Sequence, residues 1–445
     1  MSDSNPNSEV VAAIDESDLL KSESESKPPR PTKTRYGVLG FTLALTAIAY
    51  LDRARISVAA PVIKADLGLT DGQMGYIFSA FTFAYALFEI PSGWMADRFG
   101  PRLTLVRIVI CWSIMSAFTG IAMGFWSLFF IRLLFGMGEA GTFPSISRVY
   151  VRWLPIQEHG RAFGLALMAG ALGSAASQPL IATLLGLKFI VWRDVFPMFS
   201  ILGITWAILW FWWFRDDPHE HPSVNQNELK QIGCAPPVRH SAVPWKHLLR
   251  NRSLLALCLL CASWLYGWYF WLMWLPTYLL EARGFNLKAA GLLSALPLLA
   301  AAVGMLAGGW LSDILVRRWG LRKGRRTPGV VCLPLAAITI IVAIMAPTGI
   351  GAALLLSLAA GLSAMGITPI FAVCLEIGGR HAGVVSGTMN MVGNLGGTLS
   401  PTVAGLCVER LHSWNIPLII VAGFYLVAAV CWLVVDPTDP IQGAH

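Results

Sequence analysis

Apolar stretches of about twenty residues recur about twelve times along this chain, and no other feature limits its fold as tightly. They run near 37–61, 73–95, 103–122, 125–148, 161–187, 194–214, 253–281, 288–312, 328–347, 349–375, 382–409 and 415–435. A helix of about twenty apolar residues crosses the hydrocarbon core of a bilayer. The expected fold is therefore an all-α membrane protein with about twelve transmembrane helices in two six-helix bundles. The expected order is a disordered tail (1–35), a first bundle (36–214), a cytoplasmic linker (215–252), a second bundle (253–436) and a short cytoplasmic tail (437–445). Charged residues make up 13% of the chain, about half the usual share of a soluble domain. Residues 1–35 carry Ser, Glu, Lys and Pro without apolar period, too polar to offset the entropy of ordering. They lack the short apolar core of a signal peptide.

The net charge of +8 would suit nucleic acid only if it formed a stripe interleaved with aromatics. It lies instead in alternate loops between spans, including Arg98 and Arg102, Arg148 and Arg152, the linker, and Arg317 to Arg326. Such loops face the cytoplasm, so both termini are expected on the cytoplasmic side of the cell membrane, and no nucleic-acid partner is expected. All eight cysteines but Cys234 fall within spans, where buried inert thiols are the plain reading. No metal ligand set, nucleophile with paired base or phosphate-cradling loop is present, so neither an enzyme nor a cofactor is expected.

The two groups of spans repeat one another. Gly164, Met168, Gly170, Leu172, Gly173 and Ser177 recur at one offset as Gly387, Met391, Gly393, Leu395, Gly396 and Ser400. Glycines spaced like this let helix backbones approach closely, which places the fifth and eleventh spans against neighbours at matched positions. The loop Gly93-Trp94-Met95-Ala96-Asp97-Arg98-Phe99-Gly100-Pro101-Arg102 has a counterpart in Gly309-Trp310-Leu311-Ser312-Asp313 leading to Arg317. Two parallel six-helix repeats form the transporter plan with cargo at the midplane between halves.

Charges inside a bilayer are costly and mark partners or tasks. The first span holds Asp52, Arg53 and Arg55, and the fourth holds Arg132 and Glu139. Asp52 and Arg55, three apart, can pair on one face, which leaves Arg53 as the freer cation, suited to bidentate binding of a carboxylate. Arg132 and Glu139 are seven apart and share a face. A carboxyl in an apolar cavity takes up a proton more readily than in water, which suits Asp52 and Glu139 to proton carriage. The plainer reading is that these charges only neutralise one another. Tyr50, Tyr85, Gln178, Tyr266, Tyr269, Trp271, Asn390 and Asn394 are expected to line the same cavity, or to serve as polar glue between helices.

The loop from Gly93 to Arg102 resembles the signature of the major facilitator superfamily, and the twelve-span plan extends that resemblance over about residues 37–435. Tyr50-Leu51-Asp52-Arg53, the run Arg132 to Gly141 with Pro144, and Trp274-Leu275-Pro276-Thr277-Tyr278-Leu279 narrow it to the anion:cation symporter branch. The resemblance implies that Arg53 contacts a substrate carboxylate, that Asp52 and Glu139 take up coupling protons, and that Arg132 pairs with Glu139 or helps hold the anion. Gly93, Asp97, Arg98, Gly100, Arg102, Asp313 and Arg317 would form a conformational latch. It also implies a monomer in the cell (inner) membrane. Glu89 stands where the branch suggests a neutral amide, and Phe371 where a tryptophan is common; the first raises a second protonatable site. Glu376, Arg380 and His381 read as an exposed cytoplasmic cluster, and His219 and His221 as a solvated loop.

The expected activity is import of an organic anion, such as a hexuronate, a hexonate or a similar carboxylate, with protons by alternating access. The alternatives are an organophosphate/phosphate antiporter, which would want a basic residue in each half of the cavity, and a membrane sensor that does not transport.

Overall fold

The computed structural model describes residues 30–155, 158–187, 189–233, 250–378 and 382–438; the side chains of Asp97, Gly160 and Ala382 also lie outside the described set. Among these residues the long elements are all helices. They are α1 (Thr34–Leu67), α2 (Asp71–Phe99), α3 (Pro101–Thr119), α4 (Phe125–Glu139), α5 (Thr142–Trp153), α6 (His159–Leu185), α7 (Trp192–Trp213), α8 (Gln226–Ile232) and α9 (Arg252–Met273). There follow α10 (Leu275–Glu281), α11 (Leu287–Trp319), α12 (Leu321–Met345), α13 (Gly349–Ile367), α14 (Pro369–Gly378), α15 (Ala382–Gly397), α16 (Leu399–Leu411) and α17 (Asn415–Val434).

Ten described helical segments are long and apolar enough to cross a membrane. The fourth and eleventh expected spans are missing from that set because each is broken into two shorter helices, α4 with α5 and α15 with α16. The first break has a clear cause. Gly141 has a φ of +89°, a left-handed conformation that strains any residue with a β-carbon. A β-carbon there would also run into Ser92 on α2.

Within the first half α1 packs on α6, α2 on α4, and α3 on α4 and α7; within the second, α9 packs on α15, α11 on α13, and α12 on α13 and α17. The repeated glycines explain the match. Gly170 and Gly173 of α6 lie against Tyr50 and Ala47 of α1, and Gly393 and Gly396 of α15 lie against Cys261, Leu265 and Ala262 of α9. A β-carbon at any of the four would collide with the neighbour. The halves meet along two seams, α2 with α15 and α16, and α6 with α11. The same chemistry closes both: Gly75 faces the carbonyl oxygen of Pro401, and Gly291 faces that of Gln178.

Polar contacts between the halves gather toward the end away from the termini. Lys64 at the end of α1 pairs with Asp71 and, at 2.9 Å, with Glu281 of α10. Glu409 accepts from the Thr70 hydroxyl at 2.9 Å and the Gly72 amide at 2.7 Å. Further in, Ser79 donates to the Thr398 carbonyl at 2.7 Å, and Glu89 meets Asn390 at 2.8 Å. Beyond that point along α15, a β-carbon at Gly387 or Gly383 would meet nothing within 4 Å, and the same holds at Gly164 on α6. The halves are zipped at the far end and splay toward the end that carries the termini.

Two expectations about the polar segments change. Glu228 of α8 is fully buried and accepts from the Thr34 and Arg35 amides at 3.2 and 2.9 Å, so this part of the linker caps the start of α1. His221 is not solvated. It is 4% exposed, wedged edge-on between Trp153 and Trp213, and its Nδ1 accepts from the Ser223 amide. Burial, then the nearby Arg215, lowers its proton affinity below that of free histidine. The tail up to residue 29, residues 234–249 of the linker and the tail from 439 lie outside the described residues.

Candidate functional site

The five charges singled out in the first and fourth spans come together near the middle of the helices. Arg53 and Glu139 form an ion pair, Nε to Oε1 at 2.6 Å, with side chains 6% and 0% exposed. This pairing differs from expectation twice: Arg53 is not the freer cation, and Glu139 is not paired with Arg132. Seven residues along a helix separate two positions by about 10 Å of rise, so sharing a face does not bring Arg132 and Glu139 into contact. α1 instead brings Arg53 to the last residue of α4, where the helix breaks. Three rings surround the guanidinium, with Tyr50, Phe81 and Tyr85 centroids at 4.9, 5.3 and 4.4 Å.

Asp52 and Arg55 do pair on α1, at 2.9 Å. The contact is an ion pair without an aligned hydrogen bond, since neither Asp52 oxygen has a hydrogen-bond partner among the described residues. Arg55 also donates to Ser116 on α3 and, at 3.4 Å, to the Phe196 carbonyl on α7, which ties it to the scaffold. Arg132 is 1% exposed, with the Phe81 and Phe135 centroids at 5.2 and 4.5 Å. Its Nε and Nη2 find no hydrogen-bond partner among the described residues. Buried N–H groups of this kind are costly, so the position favours a group that can accept from them.

The second half contributes neutral polar groups. Tyr269 donates to Asn394 Oδ1 at 2.8 Å, Asn394 Nδ2 donates to the Asn390 carbonyl at 3.0 Å, and Asn390 Nδ2 donates to Glu89 at 2.8 Å. Two tyrosines of α9 expected in one cavity part company. Tyr269 faces Asn394, whereas Tyr266 stacks on Phe424 of α17 at 4.3 Å. Trp271 donates to the Tyr425 hydroxyl at 2.9 Å and is helix-to-helix glue. Gln178 is fully buried, and its side-chain amide has no partner among the described residues; it sits on the α6–α11 seam, where its carbonyl faces Gly291.

The loop motif is placed as follows. Gly93 lies against Pro144 of α5. Gly100 has a φ of +79°, and a β-carbon there would strike the Asp216 carboxylate. That carboxylate accepts from the Arg102 amide at 2.9 Å, while Arg102 Nε donates to the Phe211 carbonyl at 3.0 Å. Burial raises the proton affinity of Asp216, and the Arg102 amide opposes that. Arg98 lies over the Trp94 and Phe99 rings at 5.3 and 5.6 Å. The Asp97 side chain lies outside the described residues. In the second half Asp313 pairs with Arg325 of α12 at 2.8 Å, not with the exposed Arg317. Arg325 also pairs with Glu376 at 2.8 Å, so Glu376 belongs to this tie and not to an exposed cluster; Arg380 and His381 lie outside the described residues. Sequence reasoning missed Arg325 because the repeat points to the loop, while the partner sits one turn into the next helix.

Comparison with known proteins decides the family. The family model described as Major Facilitator Superfamily matches residues 42–401 and 318–444. The chain belongs to the Major Facilitator Superfamily. It is thus a membrane transporter and not an enzyme. The chain is 36% identical over 418 residues to the probable sulfoacetate transporter of Cupriavidus necator, covering 91% of this chain and 94% of that one. It is 29% identical over 416 residues to the hexuronate transporter of Bacillus subtilis, covering 93% and 96%. Among solved structures, a bacterial homologue of the human lysosomal transporter Spinster, inward-facing and occupied, matches with a TM-score of 0.74 at 22% identity, covering 92% and 98%. That last likeness shows the superfamily fold.

Proposed function

We propose that this superfamily member brings an organic anion, a sugar acid such as a hexuronate or hexonate or a similar carboxylate, into the cell by proton symport through alternating access. The observation that carries this reading is the buried Arg53–Glu139 pair within its cage of three aromatic rings. A proton on Glu139 removes the charge that holds Arg53, and an incoming carboxylate takes its place on a guanidinium that stays protonated. Cargo and proton then depend on one another, because either alone leaves a buried charge unpaired. Arg132, with unpartnered N–H groups, adds a second cation to the anion's field. Asp52 is the other proton carrier. Tyr50, Tyr85, Tyr269, Asn390 and Asn394 orient the cargo. The relatives named as sulfoacetate and hexuronate transporters act on anions, which supports an anion site here.

In this reading the membrane is the cell (inner) membrane with both termini in the cytoplasm, as the basic loops favour. The zipped far end faces outside. The Gly93, Asp97, Arg98, Gly100 and Arg102 segment, with the Asp313–Arg325 tie, would hold the cytoplasmic ends when the far side opens. The test is uptake of sugar acids and other carboxylates by proteoliposomes under an inward proton gradient. Arg53→Ala should abolish uptake, and Glu139→Gln should exchange cargo without accumulating it. If Glu139→Gln still concentrates cargo against its gradient, this coupling scheme is wrong.

A further inference from the structure

Among the described residues, Glu89 is the buried acid of the membrane spans that the mechanism above leaves without a task. It is 8% exposed, and its contacts contrast with those of Asp52 and Glu139, the other two buried acids of the membrane spans among the described residues. Asp52 has Arg55 and Glu139 has Arg53; Glu89 has no ion-pair partner among the described residues. One oxygen accepts from Asn390 of the other half at 2.8 Å, and the other has no hydrogen-bond partner among them. An ionised carboxylate held this way is expensive.

Repeat geometry shows that the fold does not require it. The offset that takes Gly75 to Gly291, and Gly93 to Gly309, takes Glu89 to Met305. The offset that takes Gln178 to Pro401, and Gly170 to Gly393, takes Leu167 to Asn390. The matching seam therefore carries Leu167 and Met305 where this one carries Asn390 and Glu89. Glu89–Asn390 is also the innermost of the polar contacts that zip α2 to α15 and α16, and beyond it the halves diverge.

The groups around Glu89 are few. Arg53 and Tyr50 of α1, Tyr269 and Cys261 of α9, and Tyr85 on its own helix lie within electrostatic reach. From α4, Glu139 is held by Arg53 and Arg132 lies among its rings. α15 has no titratable side chain, and α16 has Cys407, Glu409 and Arg410 toward its far end. Arg107 of α3 donates to Met95 and Ser92 further along α2, and α5 carries Arg148 and Arg152 nearer the termini.

We propose, resting on the symport reading above, that Glu89 carries a coupling proton of its own, taken up when the far end opens and the Glu89–Asn390 contact parts, and released toward the terminus-bearing end once that contact has closed again. An anion on Arg53 repels an ionised Glu89, and taking a proton from the far-side solution removes both that repulsion and the unpaired charge. Protonated, the carboxyl can donate as well as accept, so it makes a two-bond pair with the Asn390 amide and holds the contact shut. Opening of the terminus-bearing end, where the halves diverge just beyond the closed contact, admits water, which stabilises the carboxylate, and the proton leaves to that side.

The experiment is the proton count. Proteoliposomes with the membrane potential clamped at zero are given pH gradients of up to about one unit, with sulfoacetate or glucuronate as probe. Each coupled proton multiplies the accumulation ratio by about ten per pH unit. Glu89→Gln is expected to lower that ratio about tenfold at one unit while uptake persists. Glu89→Met, the residue of the matching seam, serves where Gln lowers the yield of folded protein. An unchanged ratio in both Glu89 variants overturns the proposal. Wild-type protein that accumulates neither probe under any gradient defeats the symport reading itself, a distinct result.

Discussion

Glu409 caps a helix of the opposite half, and its removal should loosen the closed end by a calculable amount. Its Oε2 accepts from the Gly72 amide at 2.7 Å and the Thr70 hydroxyl at 2.9 Å, at the first turn of α2, while Glu409 itself lies in the last turn of α16. An anion at a helix N-terminus contributes about 0.3–1 kcal/mol, and a hydrogen bond to a charged acceptor contributes about 1.5–3 kcal/mol when sheltered. Glu409 is exposed, so water replaces much of this when the halves part. A net of about 1–2 kcal/mol remains, which multiplies the far-end-open population by about 5 to 30. Ser79, buried in the same seam between Thr398 and Thr402, reports that population as cysteine. With Ser79→Cys present throughout, Glu409→Ala should raise the rate of labelling by an impermeant maleimide by that factor. Glu409→Gln, which keeps an acceptor and loses the charge, should fall between. Labelling within twofold of the parent in both variants would refute the view that this carboxylate holds the end closed.

Two further outcomes follow from the polar segments outside the membrane. Glu228→Ala strips the start of α1 of its cap and leaves the Thr34 and Arg35 amides without their acceptor; a loss of about 1–2 kcal/mol should lower the melting temperature in detergent by about 1–2 °C, and an unchanged melt would show that α8 does not secure α1. His221 binds protons less readily folded than unfolded because it is buried and near Arg215. The unfolded chain therefore holds more protons there, so stability is full above the ordinary histidine range and falls as pH drops below it. Wild-type melting temperature should fall between about pH 7 and 5, and His221→Phe should flatten that slope; an unaltered slope would place the acid sensitivity elsewhere.

Twelve spans were legible because each must be apolar over a fixed length, and so were contacts set by spacing along one helix, such as Asp52 with Arg55. Contacts between helices were legible only where the repeat restated them. The glycines of the fifth and eleventh spans identified their close approaches, since a missing β-carbon is useful only against a neighbour. The partner of Arg53 was not legible, because the break after Glu139 decides where that carboxyl sits, and its signal is a single Gly141 in a glycine-rich run. Tyr266 was misplaced for another reason. α9 is buried over most of its surface, so its apolar pattern has no wet side from which to infer a cavity face, and two tyrosines three residues apart look alike.

The two halves share a backbone plan but not a charge plan, and that difference bears on how the molecule can work. The positions that answer to Asp52, Arg53 and Arg55 under the offset taking Ala47 to Ala262 are Gly267, Trp268 and Phe270. Every charge of the central cluster thus belongs to the first half, while the second brings Tyr269, Asn390 and Asn394. Symmetric seams let the halves rock as rigid bodies without either losing its internal packing. Asymmetric charge lets them do so without separating the ion pairs, because Asp52 with Arg55 and Arg53 with Glu139 move together. Apart from the part-exposed Lys64–Glu281 pair at the far rim, the parting seam has to break hydrogen bonds between neutral groups or with single acids, each worth about 0.5–3 kcal/mol, whereas separating a buried ion pair costs about 3–5 kcal/mol. A transporter that must open thousands of times gains from keeping its strongest contacts inside one half and its weaker ones across the seam.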